Sequence, residues 1–173
     1  MWVFVYGSLM SEPWEQAFGG TRRGRATLPR YRRAFNKRSS LNWGTPQASC
    51  PTLGLEGPED GAHCIGLLFW FPDDQRGPVL DFLRTREGSG FDFPELEVEA
   101  VEGPLRAIVP LNDRNHRTYM GKLALGERAR MAREASGERG SCGEYVERAR
   151  ASLQEMGVVD QDVEEFLRAM RDP

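Results

Sequence analysis

Two stretches, far apart in the chain, carry residue types suited to proton chemistry on an anionic small molecule. The first is Trp2-Val3-Phe4-Val5-Tyr6-Gly7-Ser8-Leu9, a short apolar run that stops at Tyr-Gly-Ser. A buried strand that ends at a glycine turns its backbone N–H groups outward, and such a concavity holds an anion. The second is Glu87, at the end of Asp81-Phe82-Leu83-Arg84-Thr85-Arg86-Glu87 and followed by Gly88-Ser89-Gly90. Small residues after a carboxylate let a ligand approach closely. An amide cradle and a carboxylate together describe a pocket that grips an acidic molecule and moves a proton on it.

Each feature also has a plainer reading. A glutamate on an amphipathic helix is commonly a solvated residue, and a strand can simply turn at a glycine. Ser8 as a nucleophile stays open, although the wider G-x-S-x-G elbow is absent and no acid–histidine pair accompanies it. His63 and His116 lack a second ligand at metal spacing, so neither a metal nor a cofactor is called for. No dinucleotide fingerprint or Walker loop occurs.

The elements that must position these residues follow from periodicity and punctuation. Residues 2–6 read as a buried strand and 12–18 as a short helix. Residues 21–36 read as a strand pair broken at Pro29-Arg30, and 39–59 as a Gly/Pro/Ser/Thr-rich loop. Residues 64–71, CIGLLFWF, form a second buried strand. Val79, Leu80, Phe82 and Leu83 line the inner face of a helix that starts near Gln75–Gly77, takes Pro78 in its first turn and stops at Gly88. Strands follow near 94–101 and 105–110. Three helical stripes complete the chain: Leu125/Ala129/Ala132, Tyr145/Ala149/Leu153/Met156 ended by Gly157, and Val163/Phe166/Leu167/Met170 with Asp160 as cap. Strands first and helices last imply an α+β chain, a mixed sheet, open or closed, with helices packed on it.

Length and composition agree with one domain over 1–173. The 173 residues are 39% apolar and 28% charged, an ordinary globular balance. The longest apolar stretch, Cys64–Phe71, is too short to cross a bilayer, and no charged n-region marks a secretory leader. Three cysteines, Cys50, Cys64 and Cys142, are odd in number and widely spaced, which argues against a disulfide framework and for a reducing cytoplasm. No acidic residue lies between Gln16 and Leu55, a span holding Arg22, Arg23, Arg25, Arg30, Arg32, Arg33, Lys37 and Arg38. Such a run is either a solvated face or a field that draws in an anionic substrate. The net charge of -3 and the lack of a reader motif exclude nucleic acid as the partner.

Taken in order, these residues resemble the γ-glutamylcyclotransferases, and most closely their ChaC-type, glutathione-specific branch. Val3-Phe4-Val5-Tyr6-Gly7-Ser8-Leu9 is similar to the family's opening Phe-x-Tyr-Gly-Ser-Leu. Tyr31-Arg32-Arg33-Ala34-Phe35 resembles its Tyr-x-Arg-x-Phe, and Gly66–Phe69 the strand before the catalytic helix. Leu83-Arg84-Thr85-Arg86-Glu87 with Gly90-Phe91-Asp92 resembles Leu-x-x-Arg-Glu followed by Gly-Tyr-Asp. Tyr119-Met120-Gly121 and Glu144-Tyr145 resemble the later Tyr-Leu-Gly and Glu-Tyr.

The resemblance implies a small mixed β-barrel flanked by helices. It further implies an enzyme releasing 5-oxoproline from a γ-glutamyl substrate, with glutathione the first candidate. Glu87 would be the catalytic acid/base, the backbone of Tyr6, Gly7, Ser8 and Leu9 the γ-glutamyl cradle, Tyr119 a hydrogen-bonding pocket residue, and Arg33 a further carry-over, binding or structural. Ala48-Ser49-Cys50-Pro51-Thr52-Leu53 departs from the family's Pro-Gly-Arg-Val-Val-Thr-Leu, and Phe91 replaces a tyrosine. The departures bear on which donor is used rather than on cyclisation. A γ-glutamyl-amine cyclotransferase of biosynthetic deprotection and a non-catalytic module for acidic metabolites are the alternatives. The oligomeric state is not set by these residues.

Overall fold

The computed structural model describes residues 1–172. In chain order the strands and helices are β1 Trp2–Val5, β2 Thr21–Pro29, β3 Arg32–Ser39, β4 Cys50–Glu56, β5 His63–Trp70, α1 Arg76–Glu87, β6 Phe91–Asp92, β7 Glu95–Ala100, β8 Gly103–Ile108, β9 Leu111–Asn112, α2 Leu125–Glu134, β10 Ser136–Gly137, β11 Gly140–Ser141, α3 Cys142–Glu155 and α4 Gln161–Arg171. They fall into two compact units, Met1–Arg32 with Gly57–Asp113, and Arg33–Glu56 with Arg114 onward.

In the first unit β1-β5-β2-β7-β8 close into a barrel. Three of the successive pairs, β1–β5, β5–β2 and β2–β7, run antiparallel, as does the β7–β8 hairpin. The closing pair is parallel, Val3 opposite Ile108, which makes the sheet mixed. Val3, Phe4, Val5, Leu67, Leu68 and Phe69 are all at most 2% exposed, because β1 and β5 are covered on both faces. Strands buried on both faces read as continuous apolar runs, which is why these two stood out from sequence. β5 approaches β1 so closely at Gly66 that a Cβ there would overlap the Val5 carbonyl and the Phe4 ring. α1 buries Val79 and Leu83 and ends at Gly88, whose φ of 80° favours glycine and whose N–H reaches Arg84 O at 2.9 Å.

In the second unit β3 pairs with β4, and α2 and α3 pack on β4. Phe35 stacks on Phe166 at 4.1 Å, and the Asp160 side chain caps α4 by accepting from Val163 N at 3.2 Å. α3 opens with a capping box between Ser141 and Glu144. Ser141's N–H and hydroxyl hold the Glu144 carboxyl below the usual carboxylate range. The Tyr145 hydroxyl accepts from Leu53 N at 3.0 Å, so Glu144-Tyr145 serves the packing of α3.

Four expectations need correction. The run 12–18 is a 3-10 turn, Trp14–Phe18, not a helix with α geometry. β2 and β3 are separate strands rather than a pair: β2 bonds to β5 and β7, β3 to β4. The 39–59 loop contains β4, and its earlier part is pinned to the β10–β11 hairpin by Glu138 N to Leu41 O and Arg139 N to Asn42 O. Finally, the cysteines are not all free. Cys50 and Cys142 form a disulfide with Cα atoms 5.5 Å apart, and Cys64 remains a buried thiol. Wide sequence spacing misled because β4 and α3 meet only in the tertiary fold.

The bridge closes a ring with a sequence separation of 92. Loop-closure entropy assigns such a ring roughly 4–5 kcal/mol. Cys142→Ser is therefore expected to lower the denaturation midpoint, and the unfolded, unreduced wild type should show one reactive thiol against three after reduction. Three thiols in both states would refute the bridge.

Candidate active site

The first unit gathers the end of β1, the end of α1 and the chain after β8. Tyr6, 5% exposed, donates its hydroxyl proton to Pro110 O at 2.9 Å, which anchors the point where β1 leaves the barrel. Gly7 then opens a 3-10 turn over Ser8–Met10, with Met10 N bonded to Gly7 O at 2.9 Å and Ser11 N to Ser8 O at 3.3 Å. In such a turn the N–H groups of Ser8 and Leu9 precede the first internally bonded donor, Met10 N. Leu9 is buried and Ser8 exposed, so the turn shows its backbone while its apolar side chain points inward.

Glu87 is the last residue of α1 and is half-buried. Its neighbour Arg86 reaches the turn. One guanidinium nitrogen donates to Ser8 Oγ at 3.2 Å, and both terminal nitrogens meet the Glu12 carboxylate at 2.8 Å. Trp14 stacks on Phe82 of α1 with ring centroids 5.3 Å apart. β6 and β9 complete the gathering, Phe91 opposite Asn112, with Asp113 N bonded to Gly90 O at 2.9 Å. The two stretches singled out from sequence are thus brought together at one end of the barrel. Ser8 Oγ faces a guanidinium, a group that cannot take its proton. A groove of about 530 Å³ runs beside Arg76, Leu80 and Arg84 and the 88–93 turn; Gly88 and Ser89 line it, Glu87 does not.

Tyr119 and Arg33 belong to the second unit. The Tyr119 hydroxyl lies 2.8 and 2.9 Å from the two Glu56 oxygens, and Glu56 also accepts from Asn36 Nδ2 at 2.6 Å and from Arg114 at 2.9 Å. A Cβ on Gly121 would overlap the phenol oxygen, which accounts for the glycine of Tyr119-Met120-Gly121. Burial, then the bond to Glu56, pushes the Tyr119 phenol up to about 12. The Arg33 guanidinium is fully buried and pairs with Asp160 at 2.6 Å, joining β3 to the cap of α4. Among the described residues no group of three or more His, Cys, Asp and Glu is arranged to hold a metal, and no helix is long and apolar enough to cross a membrane.

Sequence reasoning missed Arg86, Glu12, Glu56 and Asn36 as structural partners. Arg86 stood inside a quoted motif, so its position was visible while its partner was not. Glu56 ends the acid-free span, the single local sign that it is special.

The barrel with its helices is the γ-glutamylcyclotransferase fold. A solved yeast γ-glutamylcyclotransferase specific to glutathione superposes with a TM-score of 0.86 at 20% identity, covering 99% of this chain and 95% of that one. Over residues 1–172 the chain matches the family model described as ChaC-like protein, and it belongs to that family. It is 25% identical to γ-glutamylcyclotransferase 2-3 of Arabidopsis thaliana, over 99% of this chain and 88% of the relative. It is 26% identical to the glutathione-specific γ-glutamylcyclotransferase of Escherichia coli K12, over 99% and 73%.

The tyrosine titration follows from the Glu56 contact. A phenol raised to about 12 keeps its proton in the folded state after an unfolded tyrosine, near 10, has lost it. Its contribution to stability is therefore intact below pH ~10 and declines as pH rises toward ~12. Absorbance titration at alkaline pH should show a late-ionising tyrosine component that is lost in Tyr119→Phe. In Glu56→Gln it should move partway back, because burial, the larger cause, stays.

Proposed function

We propose that this chain is a γ-glutamylcyclotransferase that releases 5-oxoproline from a γ-glutamyl donor, with glutathione the first donor to test. The observation that carries the reading is the meeting of the Arg86-Glu87 end of α1 with the Tyr6–Leu9 turn. The ChaC-like family match and the names of the Arabidopsis and E. coli relatives support it.

The chemistry suits so sparse a site. The donor's own α-nitrogen attacks its γ-carbonyl carbon; a C–N bond forms, closing a five-membered lactam, and the γ-amide C–N bond breaks. No protein nucleophile is required, in keeping with Ser8 facing Arg86. A free α-amine titrates near 8 and is mostly protonated at neutral pH, so it must first lose a proton. Glu87 takes that proton and returns it to the departing nitrogen, and the second proton, shed by the attacking nitrogen as the ring closes, follows to the same amine. Proton transfer of this kind contributes about 10²–10⁴ in rate. The Ser8 and Leu9 amides hold a carboxylate or the developing oxyanion. Folding the donor into a near-attack pose adds to this by freezing the rotations that separate its own amine from its γ-carbonyl.

Of the positions that depart from the family pattern, Phe91 lines the groove beside α1. Cys50–Leu53 open β4, and Cys50 is bridged to Cys142. A panel of glutathione, γ-glutamyl dipeptides and γ-glutamyl amines, read by 5-oxoproline release, separates peptide from amine donors. The proposal keeps the protein in the cytoplasm, although the Cys50–Cys142 bridge removes the cysteine-based argument for a reducing compartment.

Glu87→Gln keeps the shape but cannot carry the proton. It is expected to cut 5-oxoproline release by about 10²–10⁴-fold while leaving the thermal midpoint unchanged. Wild-type turnover in that variant would end the proposal. Ser8→Ala should retain most activity, and its complete loss would instead favour a covalent route.

A further inference from the structure

We infer that Arg86 is the positioning residue of this site: its guanidinium clamps the turn after β1 onto the end of α1. It thereby sets the spacing between the Ser8–Leu9 amides and Glu87. The inference deepens the reading above and rests on it for the identity of the reaction. It assigns a role to a side chain that would neither touch the donor nor carry its proton.

Three features of the contact argue for a clamp. Both terminal nitrogens of Arg86 bond to the two Glu12 oxygens at 2.8 Å, the fork-to-carboxylate geometry that fixes orientation as well as distance. One of those nitrogens also reaches Ser8 Oγ at 3.2 Å, so the same group touches the cradle itself. The Arg86 side chain is 21% exposed and Glu12 41%, so the pair is better shielded than the open ion pairs of α1, such as Arg84–Asp81 at 59% and 76%. Fully exposed pairs hold little.

The placement gives the clamp its consequence. Arg86 precedes Glu87, so its guanidinium ties the turn to the helix end that bears the carboxylate. The turn carries short-range bonds of its own, Met10 N to Gly7 O and Ser11 N to Ser8 O. Farther along, the loop is independently attached to α1 by the Trp14–Phe82 stack. Loss of the clamp should therefore loosen the turn without unfolding the unit. The rival view makes Arg86 an ordinary cation in the last turn of a helix, favoured there by the helix dipole. On that view its loss would lower stability and leave turnover alone.

The test uses full-length Arg86→Gln, Arg86→Lys, Glu12→Gln and the Arg86→Gln/Glu12→Gln pair. Steady-state kinetics on the best donor are combined with amide hydrogen exchange of the 7–12 segment. Arg86→Gln should lower kcat roughly 10–100-fold, in line with the sensitivity of near-attack geometry to displacements of about 1 Å, with KM and thermal midpoint little changed. Glu12→Gln should do the same, and the double variant should be no worse than either single one, the mark of a shared contact. Arg86→Lys keeps the charge but lacks the fork, so it should recover only a minor part of the loss. Exchange of the 7–12 amides should quicken in every variant. Unchanged exchange overturns the clamp whatever the kinetics. Faster exchange with kcat within about twofold of wild type, or additive losses in the double variant, overturns the positioning role. A wild type that releases 5-oxoproline from no donor sinks the parent reading instead, and the exchange result alone then decides whether Arg86 holds the turn.

Discussion

Closure of the barrel on β1 is the constraint from which the site follows. β1 is only four residues long, yet both its edges are taken, by β5 on one side and by the parallel Val3–Ile108 contact on the other. With no free edge and both faces buried, the chain must leave the sheet at the strand's end. Tyr6 holds that exit point through Pro110 O. A backbone that leaves a closed sheet abruptly brings its next N–H groups to the rim, where a ladder no longer uses them. The cradle is thus a by-product of closure. It requires an apolar strand that stops short, and Gly7-Ser8 makes it stop.

Whether such a cradle does chemistry depends on what is carried to it. α1 follows β5, the antiparallel neighbour of β1, and its last residue is Glu87. Two attachments of different physical kind join the helix to the segment after β1. The Trp14–Phe82 stack, with Phe69 and Phe71 around Trp14, is apolar and only weakly directional. The Arg86–Glu12 fork is directional and sits nearer the carboxylate. An apolar contact tolerates sliding that a bidentate ion pair does not, so orientation resides in the charged contact and cohesion in the aromatic one. The second unit handles its buried polar groups by the same logic. Arg33 is paired with the cap of α4, and Glu56 collects donors from Asn36, Arg114 and Tyr119. Charges removed from water are tolerated when they are matched.

What was legible in the sequence was whatever rests on local pattern. β1 and β5 showed as continuous apolar runs because both of their faces are covered. The start of α1 was marked by Pro78 in its first turn and its end by Gly88. Asp160 announced α4 as a cap. What was not legible depends on partners distant in sequence. β2 and β3 look like a hairpin because Pro29-Arg30 separates two alternating stretches. Arg30, however, takes a φ of 67°, and its N–H and carbonyl bond to Ala62 and Glu59 instead of closing a turn between the two strands. Cys50 and Cys142 looked unpaired for the same reason: no local rule brings the start of a strand to the start of a helix so far along the chain. Glu12 carried no sign at all, since a glutamate in a short polar segment has many possible neighbours.

A lactam-forming reaction in which nucleophile and electrophile belong to one molecule asks little of a protein's side chains. It asks for an anion cradle, one proton carrier and a fixed distance between them. The cradle is backbone and so is indifferent to side-chain identity. In the proposed reading the proton carrier is a single carboxylate. The distance is a property of the barrel rim and of the contacts that join α1 to it. A fold under these demands can exchange most of its surface and much of its apolar core, provided the exchanges conserve volume. The chain's identity of 25% to a relative that it matches over almost its whole length is consistent with that freedom. The geometry at the end of β1, rather than a dense constellation of reactive groups, is what such a site has to preserve.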